Sequence, residues 1–272
     1  MIALMNVTSL VPLWLALLIV AVLSAVLSWL LVALVRRWWP HPTFKENNEF
    51  VGFTYAVYGL IYGVVLAFTI VTAWTRFSDA ESDVMCEATV MSELWRDSSA
   101  FPENRADIHE DLAAYAASVV EKEWHEMAVH GMPDTATQKI YEHLWIHSYQ
   151  IEPTTKNQEA FLNEYLERLN VLSASRRLRL LHCRAEVSGI LWMVLLAGAL
   201  PAIAYALLFA TKHGWVHVTV TAFMMGLILL CLLVTFSLQY PFSGRVAVGP
   251  EPIKVISAAF QERLAVERAK PQ

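Results

Sequence analysis

Four long apolar stretches dominate the pattern of hydrophobic and polar positions. None of them contains Asp, Glu, Lys or Arg, and each reaches the length of about 20 residues that a helix needs to cross a bilayer. We therefore predict four transmembrane helices. The alternative for the first stretch is a cleaved signal peptide. The apolar run of this stretch is longer than the apolar region of a signal peptide, and no positively charged region precedes it. The stretches are Val11 to Val35, Val51 to Trp74, Gly189 to Ala210 and Val216 to Leu238.

A polar insert, residues 76–187, separates the second apolar stretch from the third. Its pattern is typical of helices with breaks at Pro102, Pro133 and Pro153, and no part alternates for long enough to predict a strand. An amphipathic helix is predicted near the end of the chain, from about Pro252 to Ala269. The predicted fold class is an all-α integral membrane protein, with four transmembrane helices and a helical polar insert between the second and the third.

The pattern divides the chain into consecutive regions. Residues 11–75 contain transmembrane helices 1 and 2, and residues 76–187 form the cytosolic insert. Residues 188–240 contain transmembrane helices 3 and 4, and residues 241–272 form a cytosolic tail with the amphipathic helix.

Composition agrees with a membrane protein. Hydrophobic residues make up 56% of the chain and charged residues 17%, whereas soluble domains carry roughly 25% charged residues. The insert holds 20 acidic and 11 basic residues, and the net charge of −5 for the whole chain gives no reason to expect nucleic acid as a partner. Three cysteines without regular spacing exclude a disulfide framework.

The sidedness of the insert depends on where the basic residues lie. Arg36 and Arg37 favour a cytoplasmic first loop by the positive-inside rule. The count of basic residues near all helix ends favours a cytoplasmic insert instead. The first loop and the loop at Lys212 together hold four, namely Arg36, Arg37, Lys45 and Lys212, whereas the ends of the insert and the tail hold eight. We predict that the N-terminus and the insert face the cytoplasm, in a bacterial inner membrane. The eight are Arg76, Arg168, Arg176, Arg177, Arg179, Arg184, Arg245 and Lys254.

Small residues recur at helical spacing along the second apolar stretch and therefore share one face. Within them, Gly59 and Gly63 form a GxxxG motif, which lets helix backbones approach closely in lipid. The face can pack within one subunit, or it can align identical helices around a symmetry axis. The candidates for helix packing or for lining a pore are Gly52, Tyr55, Ala56, Tyr58, Gly59, Tyr62, Gly63, Ala67 and Phe68.

The second helix is predicted to continue past Trp74 into a charged segment. Asp79, Asp83 and Glu87 follow one another at the spacing i, i+4, i+8 along it. Two interpretations remain open: a salt-bridge network with Arg76 and the arginines before the third stretch, or a ring of carboxylates at a pore mouth that would attract cations. Those arginines are Arg176, Arg177, Arg179 and Arg184.

Candidate metal and catalytic residues are few. His143 and His147 share a helix face, but no third ligand has a known position, so we predict no metal site. The segment His125–His130 has one residue too many for the HExxH motif of zinc proteases. Because no GxSxG, Walker or GxGxxG motif occurs either, we predict no catalytic residue, no cofactor and no enzyme activity.

Several segments, taken in their order around the four apolar stretches, carry a family resemblance. They are Glu46–Gly52, Tyr58–Phe68, Ser78–Glu81 with Glu87-Ala88, Glu121–Trp124 and Tyr240–Gly244. Together they resemble the bestrophin-like family of bacterial and plastid membrane proteins, which is distantly similar to the bestrophins.

The resemblance implies a pentameric anion channel with four spans per subunit, a pore lined by the second span, and most of the polar mass in the cytosol. A Pro-Phe-Gly segment follows the last span of bestrophins, and Pro241, Phe242 and Gly244 are its counterpart as a structural turn, with one Ser inserted. The acidic run that forms the calcium clasp of animal bestrophins is replaced after Gly244 by Arg245-Val246-Ala247-Val248.

The residues and the resemblance together predict an oligomeric ion channel with the second transmembrane helix around a central pore. The resemblance implies anion selectivity, whereas the acidic residues at the predicted pore mouth favour cations. The alternative is a non-conducting membrane scaffold or sensor whose helical insert recruits a cytosolic partner. The expected partners are further copies of the chain, in a pentamer as the resemblance implies, together with the lipid bilayer and inorganic ions.

Overall fold

The computed structural model describes residues 12–38, 48–183, 188–209, 211, 213–244 and 246–269. This part of the chain contains helices and no strands. A 3₁₀ turn, Ser98–Ala100, follows the second helix, and a π-helical segment, Val119–Glu123, joins the third to the fourth. The helices are α1 Leu13–Trp38, α2 Asn48–Asp97, α3 Arg105–Ser118, α4 Trp124–His130, α5 Thr135–Tyr149, α6 Lys156–His182, α7 Gly189–Leu208, α8 Gly214–Leu238 and α9 Glu251–Ala269.

Helices α1, α2, α7 and α8 are long and apolar enough to cross a membrane. Large apolar side chains on them are exposed, for example Trp14, Phe53 and Phe223. Such surfaces are stable in lipid or against another protein, not in water. The prediction of an all-α integral membrane protein with four transmembrane helices and a helical insert is confirmed. Val11 and Ala210, at the ends of two predicted stretches, lie outside the described residues.

The described residues fall into two compact units. The membrane unit contains α1, the part of α2 up to Thr75, α7 and α8. The polar unit contains α2 from Arg76 onward, α3 to α6, and the segment from Tyr240 through α9. Helix α2 is therefore shared, because its 50 residues run without interruption from Asn48 to Asp97.

Local signals set the helix ends in the polar unit. The side chain of Asp134 accepts a hydrogen bond from the backbone N–H of Thr137 at 2.8 Å and caps α5. Thr155 caps α6 in the same way through the N–H of Gln158. Gly131 ends α4 with a φ of 63°, a left-handed conformation that favours glycine. The predicted proline breaks lie in the connections between these helices.

The core of the polar unit is formed by apolar side chains from every helix in it. Leu94 of α2, Leu112 of α3, Leu144 of α5 and Leu169 of α6 are fully buried. Helix α9 joins this core through Phe260, whose ring stacks on Trp95 with centroids 4.3 Å apart. Burial of such side chains contributes about 1.5–3 kcal/mol each, so the C-terminal helix is an integral part of the unit.

The membrane unit is held by a close approach between α2 and α7. Tyr62 of α2 is buried against Gly198, and a Cβ atom at position 198 would lie 2.5 Å from a ring carbon of Tyr62. The Tyr62 ring cannot move freely, because its hydroxyl donates a hydrogen bond to the carbonyl of Leu195 at 3.0 Å. Glycine at 198 is thus required by the distance between the two helices.

We expect Gly198→Ala to lower the stability of the protein by about 1–3 kcal/mol, because the added methyl group overlaps the Tyr62 ring. The measurement is the thermal unfolding of the detergent-purified protein, followed by circular dichroism. Gly189→Ala is the matched control on the same helix, since among the described residues nothing beyond its own helix lies within 4 Å of its Cβ position. Equal melting temperatures for the two variants would contradict this account of the packing.

Candidate functional site

The part of α2 in the membrane unit has sides with different surroundings. One side carries tyrosines that face α7. Tyr58 donates a hydrogen bond to the carbonyl of Gly198 at 2.7 Å, and Tyr62 donates to the carbonyl of Leu195. A hydroxyl group at membrane depth needs an acceptor, and the backbone of α7 supplies it. The tyrosine side of α2 is therefore occupied within the subunit.

Tyr55 extends this aromatic contact by one further turn of α2. Its ring lies 6.0 Å from the ring of Tyr205 and 5.8 Å from that of Phe209, measured between centroids. The hydroxyl of Tyr55 is buried and has no hydrogen-bond partner among the described residues. Gly52 lies at the same end, and a Cβ atom there would be 3.7 Å from Phe209.

The small-residue side of α2 is open. Ala56, Gly63 and Ala67 are exposed, and Gly59 is half-exposed. A Cβ atom at Gly59 or Gly63 would meet nothing within 4 Å among the described residues. The GxxxG motif therefore packs against no other described part of this subunit, although sequence reasoning left packing within one subunit open.

Large apolar side chains lie next to the small-residue side. Leu60, Val64 and Phe68 follow at a spacing of four residues and are 69%, 47% and 70% exposed. Phe68 is one position after Ala67, which turns it by about 100° around the helix axis. The aromatic residues predicted for helix packing or pore lining therefore have different surroundings. Tyr58 and Tyr62 form hydrogen bonds to α7, whereas the side chain of Phe68 is exposed.

The three carboxylates after the apolar part of α2 have different surroundings. Asp79 is exposed, Asp83 is half-buried with its Oδ2 3.2 Å from Nε2 of His182, and Glu87 is fully buried. A step of four residues rotates the helix by about 40°, so two steps carry a side chain from the surface into the interior. Glu87 consequently does not belong to an exposed acidic face, because it lies in the core of the polar unit.

Glu87 belongs to a buried ion-pair network centred on Arg179 of α6. The guanidinium of Arg179 donates from Nε to Glu87 at 2.6 Å and from Nη2 to Glu123 at 2.7 Å. Glu123 accepts a further bond at 2.7 Å from Arg176, one turn earlier on α6. The Tyr115 hydroxyl donates to Glu87 at 2.5 Å. The salt-bridge interpretation is correct for Glu87 and Arg179.

Charge balance makes this burial tolerable. Two carboxylates and two guanidinium groups give the network no net charge, and the side chains of Arg179, Glu87 and Glu123 have no solvent exposure. Burial alone would lower the pKa of Arg179, but the adjacent carboxylates of Glu87 and Glu123 raise it well above its usual value. The two carboxylates therefore favour the charged form of Arg179.

Sequence reasoning missed two positions on which the packing depends. Glu123 follows Tyr115 and Val119 at spacings of four and precedes Met127 by four, and all these residues are buried. A carboxylate inside such an apolar stripe is the signal that predicts a buried partner. The sequence around Gly198 contains no comparable signal. The need for glycine there comes from the Tyr62 ring, which lies on another helix.

The segment after α8 forms a tight turn in the polar unit. Pro241 and Phe242 are buried, and the Phe242 ring packs edge-on against Trp124 at 5.5 Å. The carbonyl of Pro241 accepts a hydrogen bond from the N–H of Val248 at 2.7 Å. Gly244 has a φ of 89°, which a side chain would strain.

The histidine pair on α5 lies beside an aspartate of α3. His147 Nδ1 is 2.6 Å from Oδ2 of Asp111, and the rings of His143 and His147 are 6.3 Å apart. Burial raises the pKa of Asp111, while the hydrogen bond from His147 opposes that rise. The described residues contain no group of three or more side chains suited to hold a metal ion.

Some residues used in the sequence analysis lie outside the described part of the chain. They are Arg184 of the basic cluster, the loop residues Lys45, Lys212 and Arg245, and Glu46 and Asn47 of the first family segment.

Comparison with known proteins identifies the family. A model of the Bestrophin-like domain matches residues 22–253. The chain therefore belongs to the Bestrophin-like family, which confirms the resemblance seen in the sequence. No curated protein matches the chain.

Solved structures support the same fold. A variant of a bacterial bestrophin homologue from Klebsiella pneumoniae superposes with a TM-score of 0.65 at 14% identity, covering 92% of this chain and 99% of that chain. A second variant of the Klebsiella pneumoniae homologue gives a TM-score of 0.65 at 13% identity, with coverage of 94% and 100%. At these identities the likeness concerns the fold.

We expect Arg179→Met to destabilise the protein by about 3–5 kcal/mol, because it leaves Glu87 and Glu123 buried with too little positive charge. The measurement is the unfolding midpoint in denaturant. Arg268→Gln is the control, since it breaks an ion pair with Glu110 whose side chains are 69% and 58% exposed, and exposed pairs contribute little.

The double variant Glu87→Gln/Arg179→Met is expected to recover part of that loss, because one of the two carboxylates is then neutral. An Arg179→Met midpoint equal to that of the Arg268→Gln control would contradict a network that supports the fold.

Proposed function

We propose that the protein is a subunit of a homo-oligomeric ion channel, with α2 of each subunit arranged around a central pore. The observation that carries this proposal is the open small-residue side of α2, at Gly59 and Gly63. In lipid, small residues let helix backbones approach closely, and no other described helix of the same subunit packs on these two positions. Membership of the Bestrophin-like family supports the same arrangement, and the distant similarity of that family to the pentameric bestrophins favours five subunits.

The pore-lining side chains follow from the helix geometry. When the small residues contact the neighbouring copy of α2, Leu60, Val64 and Phe68 project toward the axis. These exposed apolar side chains form a narrow constriction, and an apolar constriction can close by dewetting without a separate plug. Tyr58 and Tyr62 do not take part, because their hydroxyls are bonded to α7.

Asp79 supplies the fixed charge of the proposed pore mouth. It follows Phe68 by eleven residues, which is close to three turns of a helix, and therefore shares its side of α2. Glu87 is neutralised in the core by Arg179, so the acidic ring is weaker than three carboxylates per subunit would make it. A weak preference for cations follows, in contrast to the anion selectivity of bestrophins.

The polar unit faces the cytoplasm in this proposal, and the protein resides in a bacterial inner membrane. The basic residues at the ends of the insert and in the tail support this side by the positive-inside rule.

The detergent-solubilised wild-type protein is expected to be a homo-oligomer, with five subunits by family likeness. The measurement is multi-angle light scattering with correction for bound detergent. Gly59→Leu and Gly63→Leu are expected to reduce the assembled fraction, because the larger side chain separates neighbouring helices. Gly189→Leu is the control, since its Cβ position is equally open but lies on α7. A monomeric wild-type protein would rule out the pore.

Reconstituted protein is expected to conduct with a weak cation preference that Asp79→Asn reduces, because the substitution removes the proposed ring of charge. The measurement is the reversal potential in asymmetric salt across planar bilayers. Glu81→Gln is the matched control, since it removes an exposed carboxylate two positions away on another side of α2. Strong chloride selectivity that is the same in both variants would mean that Asp79 does not face the pore.

Absence of current from correctly assembled protein would favour the second function considered from the sequence, a membrane scaffold or sensor. The oligomer test above separates that outcome from failed assembly.

Cysteines introduced at Ala160 and Ala258 are expected to react only from the cytoplasmic side. Both positions are exposed, one on α6 and one on α9. The measurement uses a membrane-impermeant maleimide on intact cells and on inverted membranes, in a variant without the three native cysteines. Labelling of either position in intact cells would place the polar unit outside.

A further inference from the structure

A cavity of about 560 Å³ opens in the polar unit along α6, next to α5. The charge of the residues that line this cavity differs from the charge of the insert as a whole. The insert holds 20 acidic and 11 basic residues, yet the described residues that line the cavity include two arginines and no carboxylate. The lining side chains that matter here are Tyr141, Asn170, Arg176, Arg177, Leu180 and Leu181.

Arg176 has an unused donor at this cavity. Its side chain is only 6% exposed, its Nη1 donates to Gln138 and its Nη2 to Glu123, both at 2.7 Å. The guanidinium also lies over the ring of Tyr141, 4.9 Å from the centroid. The buried Nε has no acceptor among the described residues. A buried N–H without an acceptor is unfavourable, and a shift of the Arg176 side chain that brings the Nε to the cavity would let an oxygen atom of a ligand accept from it.

Arg177 adds a positive charge that the described residues do not neutralise. It is exposed beside Arg176, and the ion pairs found in the described part of the chain do not include it. The neighbouring network of Glu87, Glu123, Arg176 and Arg179 has no net charge. The cavity therefore carries about one unit of uncompensated positive charge, and the exposed amide of Asn170 lies in the same wall.

The rest of the wall is apolar. Leu180 and Leu181 line the cavity from the last turn of α6, and Leu181 is 56% exposed. A site for a simple inorganic ion does not need exposed leucines. A ligand with a charged head and an apolar chain would cover them and remove apolar surface from water.

We propose that this cavity binds an amphiphilic anion, in which a phosphate or carboxylate head is joined to an apolar chain. Arg177 and the Nε of Arg176 contact the head, and Leu180 and Leu181 contact the chain. An acidic membrane lipid and a soluble amphiphile both offer this chemistry. The proposal does not depend on ion conduction.

Octyl phosphate is the probe, titrated by calorimetry into the full-length protein in a neutral detergent. We expect one site per subunit and binding of inorganic phosphate that is at least about tenfold weaker. Arg177→Gln is expected to weaken octyl phosphate binding by about tenfold, since a charge-assisted hydrogen bond is lost. Leu181→Gln is expected to weaken octyl phosphate binding but not phosphate binding. Both positions are at the surface, so folding should be retained.

Arg105→Gln is the matched control, because it removes the same charge from an exposed position at the start of α3. Equal affinities in the Arg177→Gln and Arg105→Gln variants, or no binding to the wild type, would overturn the proposal. Inorganic phosphate binding as tightly as octyl phosphate would overturn the amphiphilic part.

A second experiment distinguishes a membrane lipid from a soluble anion as the source of the ligand. Octyl phosphate binding is compared in nanodiscs of phosphatidylcholine with and without phosphatidic acid. Weaker apparent binding with phosphatidic acid, lost in Arg177→Gln, identifies a membrane lipid as the occupant. Equal binding in the two nanodiscs identifies a soluble anion.

Discussion

Arg179 is a charged side chain with no access to solvent, and the arrangement of the polar unit depends on it. An isolated buried charge is strongly unfavourable unless it is paired and hydrogen-bonded. Arg179 is paired twice, with Glu87 of α2 and with Glu123 of the π-helical segment before α4. These partners are far apart in sequence, so α2, α6 and the α3–α4 region must pack in one register for the charge to be satisfied. Removal of one partner would leave a buried charge without its counter-charge, which is strongly unfavourable.

The helices of the membrane unit are held together by different interactions. Its helices face lipid, so burial of apolar surface does not drive them together, and close packing and hydrogen bonds remain. Gly198 permits the contact with the Tyr62 ring, and the hydroxyls of Tyr58 and Tyr62 reach backbone carbonyls of α7. These contacts use one side of α2. The other sides carry small and large apolar residues without partners among the described residues, and the proposed channel places other copies of the chain against them.

Helix α2 connects these two kinds of interaction. Its first half carries the proposed pore surface, and its second half inserts Glu87 into the core of the polar unit. The absence of a break signal between Trp74 and Asp79 has a functional meaning under the proposed channel. Under that proposal the pore surface and Glu87 lie on one uninterrupted helix.

The sequence by itself determined the number of membrane helices, the helical insert with its breaks and the family, because these depend on apolar length, local turn chemistry and the order of short segments. It also placed the small-residue side of α2, since helical spacing fixes which residues share a face. Only the tertiary structure decided what each side of α2 contacts. Asp79, Asp83 and Glu87 look equivalent at their spacing, but the rotation of about 40° per step and the position of α6 separate an exposed carboxylate from a buried one. Gly198 and Glu123 acquire their roles from side chains on other helices, and a spacing rule along one segment contains no information about such partners.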